Sequence, residues 1–215
     1  MSKRQWEDLE VAAVRSNATR AIGAPEDAQA HNATPASSDE KLAELILYIS
    51  QKCADDLYYG ATKLNKILYF SDFLFYGRTG RAITGAEYQK LKNGPGPRRL
   101  APVRNALIKK KRLAIQPVSL LGGIQHHLVN LDEPKIDPLF SASEIAMVDE
   151  VISTLSDASG TECSKLSYEF TAGLKHFRER ETIPFATILI SNEAPTEVEV
   201  LRGQEIAAKF SLLNQ

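Results

Sequence analysis

The sequence is poor in cysteine and contains no long apolar stretch. Its two cysteines, Cys53 and Cys163, lie far apart and lack the spacing of metal ligands. We expect both to be small buried residues rather than a disulfide pair. No segment approaches the roughly 20 apolar residues that a membrane helix needs. The first residues contain no apolar core of a secretory signal. These absences favour a soluble cytoplasmic protein.

An excess of charge of either sign is also missing. The 26 Lys and Arg residues nearly balance the 27 Asp and Glu residues, which leaves a formal net charge of −1. No overall field therefore attracts nucleic acid or a membrane. With 215 residues, of which 43% are apolar, the chain is long enough to bury one sizeable core.

The motifs of common active sites and metal centres are absent. His126 and His127 are adjacent, so on a strand they point to opposite faces and cannot chelate one metal ion. The sequence has no paired CxxC, no HExxH, no Gly-x-Ser-x-Gly elbow and no phosphate-binding glycine loop. His176 has the chemistry of a general base, but no nucleophile is placed beside it. We therefore expect a protein that is not an enzyme and needs neither metal nor cofactor.

What the sequence does contain falls into three regions. Residues 1–37 have few large apolar side chains and predict a flexible tail, or alternatively an arm that folds on a partner with Trp6 as its anchor. Residues 38–192 carry regular apolar patterns and predict the folded domain. Residues 193–215 predict a helical extension, because Thr196–Glu199 has the form of a helix capping box.

Apolar side chains recur at helical spacing in several parts of residues 38–192. The first such stripe is Leu42, Leu45, Ile46, Ile49 and Cys53, and Val103 with Leu107 is the stripe of a short third helix. The predicted helices begin at the capping box Ser37–Glu40, at Thr62, at Pro102, at the capping box Ser141–Glu144 and at Thr161.

Two short strands, Leu113–Val118 and Ile124–Val129, predict a β-hairpin across a Gly-Gly turn. Because a helix precedes this hairpin, the pair resembles the wing of a winged-helix unit. Residues 81–97 predict mostly turn, and Ile183–Ile190 is ambiguous between a short helix and a strand. The expected fold class is mainly α, within α+β: a compact helical domain with a small hairpin.

The predicted helix from Thr62 to Tyr76 is unusually rich in aromatic residues. Its tyrosines and phenylalanines lie more than halfway round a helical wheel, which one buried face does not explain. Either the helix is central and buried on several sides, or aromatics such as Tyr69 and Phe73 are exposed and contact a protein partner.

The segment from Arg98 to Arg112 contains seven basic and no acidic residues. It can be a solvated face, a surface for an acidic protein partner, or a contact to nucleic-acid phosphates. The overall charge balance favours a protein partner over nucleic acid. The candidate contact residues here are Arg98, Arg99, Arg104, Lys109 and Lys110.

Three motifs together resemble a known family. The run Lys63–Asp72 (Lys-Leu-Asn-Lys-Ile-Leu-Tyr-Phe-Ser-Asp) is followed by Ile83-Thr-Gly85 and then by Gly94-Pro95. This pattern is similar to the Panacea domain of the SocA-like antitoxins of bacteria and phages. Weaker likenesses, at Cys163–Ser167 and Ile183–Phe185, extend the resemblance over roughly residues 40–190. The chain departs from the family in lacking a Trp after its Leu166-Ser167.

The resemblance implies a cytoplasmic antitoxin that neutralises a cognate toxin by direct binding, in a type II toxin-antitoxin system. One alternative that it implies is an adaptor that delivers the toxin to a Clp-type protease. A second alternative, from the basic segment and the hairpin, is a winged-helix-like regulator that binds nucleic acid. The motif residues expected to form the scaffold are Lys63, Lys66, Tyr69, Asp72, Gly85, Gly94 and Pro95.

Overall fold

The computed structural model describes residues 38–120, 123–171 and 173–190, with the single positions 201 and 204. The predicted tail at 1–37 and most of the predicted extension at 193–215 lie outside these residues, as does Ser37 of the first capping box. The described helices are α1 (Ser38–Lys52), α2 (Ala61–Thr79), α3 (Leu100–Lys109), α4 (Ala142–Leu155) and α5 (Gly160–Phe170), with 3₁₀ turns at Leu174–His176 and Phe185–Leu189.

The described strands are β1 (Tyr88–Leu91), β2 (Gly94–Pro97), β3 (Leu113–Leu120), β4 (Gly123–Asn130) and β5 (Thr182–Ile183). Helices dominate and the strands form small antiparallel sheets, so the predicted fold class is confirmed. No helix in the described ranges combines the length and apolar composition that crossing a bilayer requires.

Helix α2 is the central element of the fold. It packs against α1, α4, α5, β2 and the 3₁₀ turn Phe185–Leu189. Its buried residues lie on every side of the helix, as expected for a helix surrounded by other elements. The helix continues past the predicted end at Tyr76 to Thr79, and its C-cap is Gly80, whose φ is 75° and whose N–H bonds to the carbonyl of Tyr76. The prediction that Thr62 caps its start is wrong, because the N-cap is Gly60 and no side chain caps it.

The predicted apolar stripes of α1 and α3 face the core. All five stripe residues of the first helix are buried, and so are Val103 and Leu107. Helix α3 begins at Leu100, two residues before the predicted start at Pro102. Burial of large aliphatic side chains supplies about 1.5–3 kcal/mol each and determines which helix face turns inward.

The starts of α4 and α5 are both fixed by capping boxes. At α4 the predicted box is confirmed, because the Ser141 hydroxyl accepts from the Glu144 N–H while the Glu144 carboxylate accepts from the Ser141 N–H. The start predicted at Thr161 is one residue late, because α5 begins at Gly160. Ser159 and Glu162 form the second box there.

Strands β3 and β4 form the predicted hairpin directly after α3. They pair antiparallel, from Leu113 opposite Asn130 to Leu120 opposite Gly123. The order of a helix followed by a hairpin therefore agrees with the sequence. Leu113 and Leu128 are buried against the core, whereas Ile115 and Ile124 are exposed.

A second sheet lies where the sequence predicted mostly turn. Its strand order is β2-β1-β5, and both pairings are antiparallel. The prediction for residues 81–97 is therefore wrong for the two strands. Gly94–Pro97 carries no strand signal, and its prolines are accommodated because β2 is an edge strand. The ambiguous segment Ile183–Ile190 contains both alternatives, since Ile183 ends β5 and a 3₁₀ turn begins at Phe185.

Candidate functional site

The aromatic residues of α2 form the centre of the core rather than a surface. Tyr69 and Phe73 are fully buried, and their rings lie 4.5 Å apart between centroids. Phe73 also contacts Tyr88 and Phe185. The prediction that Tyr69 and Phe73 contact a partner is contradicted, because neither side chain has an exposed surface to offer. Aromatics on several sides of this helix are explained by packing on several sides.

Two lysines of the motif point into the protein and are held by polar contacts. Lys63 Nζ lies 2.5 Å from the Asp56 carboxylate and donates to the Ser156 carbonyl at 2.9 Å. Lys66 Nζ donates to the Pro95 carbonyl at 2.9 Å. Burial lowers the pKa of the Lys66 ammonium to about 7, since a charge removed from water loses its hydration. These contacts connect α2 to the loop that precedes it, to the end of α4 and to β2.

Asp72 connects α2 to the segment that contains Ile83-Thr-Gly85. Its carboxylate accepts from the Thr84 N–H at 2.8 Å, and it bonds the hydroxyls of Thr84 and Tyr88. Asp72 is fully buried, and desolvation raises the pKa of its carboxyl above the ordinary value. Gly85 follows with φ of 65°, a left-handed conformation that glycine adopts without strain.

The Gly94-Pro95 motif lies directly against Lys66. Gly94 has φ of 90°, and a Cβ atom there would lie 2.6 Å from Ser167 Oγ and 2.7 Å from Lys66 Nζ. Only glycine therefore allows β2 to approach α2 and α5 this closely. The separate sequence motifs meet in one buried polar cluster, formed by Lys66, Gly94, Pro95 and Ser167.

Three of the seven cations in the basic segment have carboxylate partners within the chain. Arg98 pairs with Glu87 and Arg99 with Asp39. Arg112 makes a two-pronged contact to Glu44 and also pairs with Asp132. These three guanidiniums therefore have much of their charge compensated inside the molecule, and they join the segment to α1 and to the residues that flank β1 and β4.

The four remaining cations have no ion pair among the described residues. They are Arg104, Lys109, Lys110 and Lys111, which we call the basic surface. The three lysines are exposed at the end of α3, and Arg104 is half-buried one turn earlier. Within the predicted contact segment, the cations without an ion pair among the described residues are therefore at its middle, Arg104, and near its C-terminal end, Lys109 to Lys111.

An open groove of about 730 Å³ lies between the loop after α1 and the hairpin β3–β4. The pattern analysis of the sequence did not identify it. Two similar tripeptides, Asp55-Asp-Leu57 and Leu131-Asp-Glu133, line it. Each places an exposed leucine beside two acidic residues in a loop. A leucine next to two acidic residues, outside any predicted helix or strand, is the sequence signal that could have identified the groove.

His127 lies on the hairpin wall of the same groove. Its Nε2 atom is buried and has no hydrogen-bond partner in the described residues. Gln116 is directly opposite it in the strand register and also lines the groove. No group of three or more His, Cys, Asp or Glu side chains in the described part of the chain has the geometry of a metal site.

One family model matches the chain, described as "Antitoxin SocA-like, Panacea domain". The match spans residues 64–172, which is half of the chain. It includes most of α2, the Gly94-Pro95 corner, α3, the hairpin, α4 and α5. No curated protein and no solved structure matches the chain significantly.

Proposed function

Because the chain belongs to the SocA-like antitoxin family with the Panacea domain, we propose that it neutralises a cognate toxin protein by binding directly to it. The family membership is the observation that carries this proposal. It gives the chain an antitoxin-like role in general terms. The cognate toxin and the mode of neutralisation are the proposed part.

The arrangement of the motif supports binding by a rigid surface. Lys63, Lys66 and Asp72 are buried and use their polar atoms to hold neighbouring segments. The motif therefore serves as a scaffold, and a toxin meets the residues around it. A scaffold fixed before binding loses little conformational entropy when the partner docks.

The basic surface supports an acidic contact on the toxin. Its three exposed lysines lie together at the end of α3, without carboxylate partners among the described residues. Exposed clustered cations accelerate association with an acidic partner and fix its orientation. Neutralisation then follows because the bound antitoxin covers the toxin surface that would otherwise reach its target.

The test is co-expression with the open reading frame adjacent to the gene. We expect that frame to arrest growth when expressed alone, and this chain to restore growth and to co-purify with its product. Restored growth with a shortened toxin half-life would instead indicate an adaptor for a Clp-type protease. No rescue of any adjacent toxic frame, with both proteins expressed and soluble, contradicts the proposed function.

A nucleic-acid-binding role is a second candidate, favoured by the hairpin that follows α3 beside the basic surface. In that role the lysines would contact phosphates and their affinity would fall steeply with salt. An electrophoretic mobility shift of the gene's own promoter DNA at low salt tests it. The absence of a shift at micromolar protein excludes it.

A further inference from the structure

The groove between the loop after α1 and the hairpin combines apolar and acidic surface. Leu57 and Leu131 are 64% and 56% exposed, although each is a large aliphatic residue. Both line the groove, whose deeper wall includes the buried side chains of Cys53, Tyr59 and Leu128. Exposed leucines that continue a buried apolar wall mark a surface where a partner's apolar side chain can be buried.

The charge along this groove has one sign. Among the described residues, four carboxylates line it and no Lys or Arg does. Asp56 is paired with Lys63 and Asp132 with Arg112. Asp55 and Glu133 have no cationic partner among the described residues, so two negative charges remain for an incoming group.

One polar atom in the wall of the groove also lacks a partner among the described residues. The Nε2 atom of His127 is buried and makes no hydrogen bond to them, next to Gln116 on the opposite strand. Leaving a buried polar atom unpaired costs free energy. The atom is shielded from the open groove, so a partner's polar group reaches it only when the imidazole turns outward.

We propose that this groove is a docking site for a segment of the cognate toxin that presents an apolar side chain flanked by lysine or arginine. Charge complementarity selects this occupant, because the apolar wall attracts a leucine-like or aromatic side chain and Asp55 and Glu133 attract the flanking cations. The volume of about 730 Å³ is within the range of sites that enclose small ligands, and it suits one or two large side chains.

The groove adjoins the basic surface. Arg112, which follows Lys111 in the chain, pairs with Asp132 on the groove's rim. A partner that covers both the groove and the basic surface therefore contacts an acidic region on one side and a basic region on the other. Such an arrangement fixes the orientation of docking and penalises partners with the reverse order. This inference rests on the proposed function for the identity of the partner.

The first experiment uses a probe that does not depend on the toxin. A fluorescent peptide with leucines at helical spacing and lysines at the positions between them is titrated against the full chain, beside a peptide in which every lysine is replaced by glutamate. We expect the basic peptide to bind at least tenfold more tightly. Leu131→Arg and Glu133→Lys should each weaken that binding at least fivefold.

The matched controls are Leu189→Arg and Glu179→Lys. Leu189 is 57% exposed, close to the 56% of Leu131, and Glu179 is exposed like Glu133, yet neither lines the groove. Both controls should bind the basic peptide as the wild type does. Equal binding of the two peptides, or equal losses in groove and control variants, overturns the proposal. Circular dichroism of each variant checks that it is folded.

The second experiment repeats the variants with the co-expressed toxin. Reduced capture by Leu131→Arg but not by Leu189→Arg supports the toxin as occupant. If the wild type captures no toxin while the peptide still binds the groove, the proposed function fails and the groove's chemistry stands. Sedimentation that shows a wild-type dimer and a monomeric Leu131→Arg variant overturns the proposal, since a second copy is then the occupant.

Discussion

Lys66 Nζ donates a 2.9 Å hydrogen bond to the carbonyl oxygen of Pro95, and the lysine side chain is buried. Burial lowers the pKa of its ammonium to about 7, whereas the pKa of a lysine in an unfolded chain is about 10.4. Between these values the unfolded state binds more protons than the folded state. The free energy of unfolding therefore rises with pH in this range because of Lys66.

We expect this rise to reach up to about 1.4 kcal/mol per pH unit between about pH 7 and 8.5. Above that range the buried thiols of Cys53 and Cys163, whose pKa values burial raises, act in the opposite direction. Urea unfolding at successive pH values measures the slope. Lys66→Met should flatten it, and the exposed control Lys110→Met should retain it. Equal slopes in all three proteins would contradict the burial of a titrating Lys66.

Gly94 should tolerate no side chain. Its φ of 90° disfavours any other residue, and an added Cβ would lie 2.6 Å from Ser167 Oγ and 2.7 Å from Lys66 Nζ. We expect Gly94→Ala to lower the free energy of unfolding by about 3 kcal/mol or more. Gly80→Ala is the matched control, since φ is 75° there but no atom lies within 4 Å of the added Cβ.

The free energy of unfolding of the control should therefore fall only by the cost of a left-handed backbone at alanine, about 1–2 kcal/mol. Urea denaturation midpoints of the two variants, converted with a common slope, give the comparison. If the free energy of unfolding falls no more in Gly94→Ala than in Gly80→Ala, the close approach of β2 to Lys66 and Ser167 does not exclude a Cβ atom at position 94.

Charge reversal on the basic surface should weaken toxin binding without unfolding the protein. We expect Arg104→Glu combined with Lys110→Glu to raise the Kd for the co-expressed toxin at least tenfold at low salt. The difference should shrink at high salt, because screening weakens contacts between exposed charges. Titration calorimetry at two salt concentrations measures it. The control is Lys175→Glu, because Lys175 is an exposed cation outside the basic surface. A double variant that binds the toxin as tightly as this control would exclude the basic surface from the contact.

Periodicity and capping chemistry were sufficient to predict most helices and the hairpin. The stripe in α1 and the Ser141–Glu144 box are local signals, and the structure uses both. The strand at Gly94–Pro97 was missed because its formation depends on neighbours that are distant in sequence. It pairs with β1 and packs on Lys66 and Ser167, and neither interaction leaves a pattern in four residues of Gly and Pro.

The candidate contact surface was less predictable for a different reason. A helix with aromatics on several sides can be a core or an interface, and only the positions of the surrounding elements decide for Tyr69 and Phe73. Similarly, a basic run does not reveal its own counter-ions. Asp39, Glu44 and Glu87 are outside the run, so the pairing of Arg99, Arg112 and Arg98 depends on the tertiary fold.

The position of β5 in the sheet has a consequence for synthesis. Tyr88 in β1 pairs with Ile183, so the sheet lacks its third strand until Thr182 and Ile183 have left the ribosome. Until then β1 has an unpaired edge, and the aromatic cluster lacks Phe185. An unpaired edge is a site for aggregation or for proteolysis. The sheet and the core are therefore completed only late in translation. A product of interrupted synthesis that lacks these residues has an incomplete core.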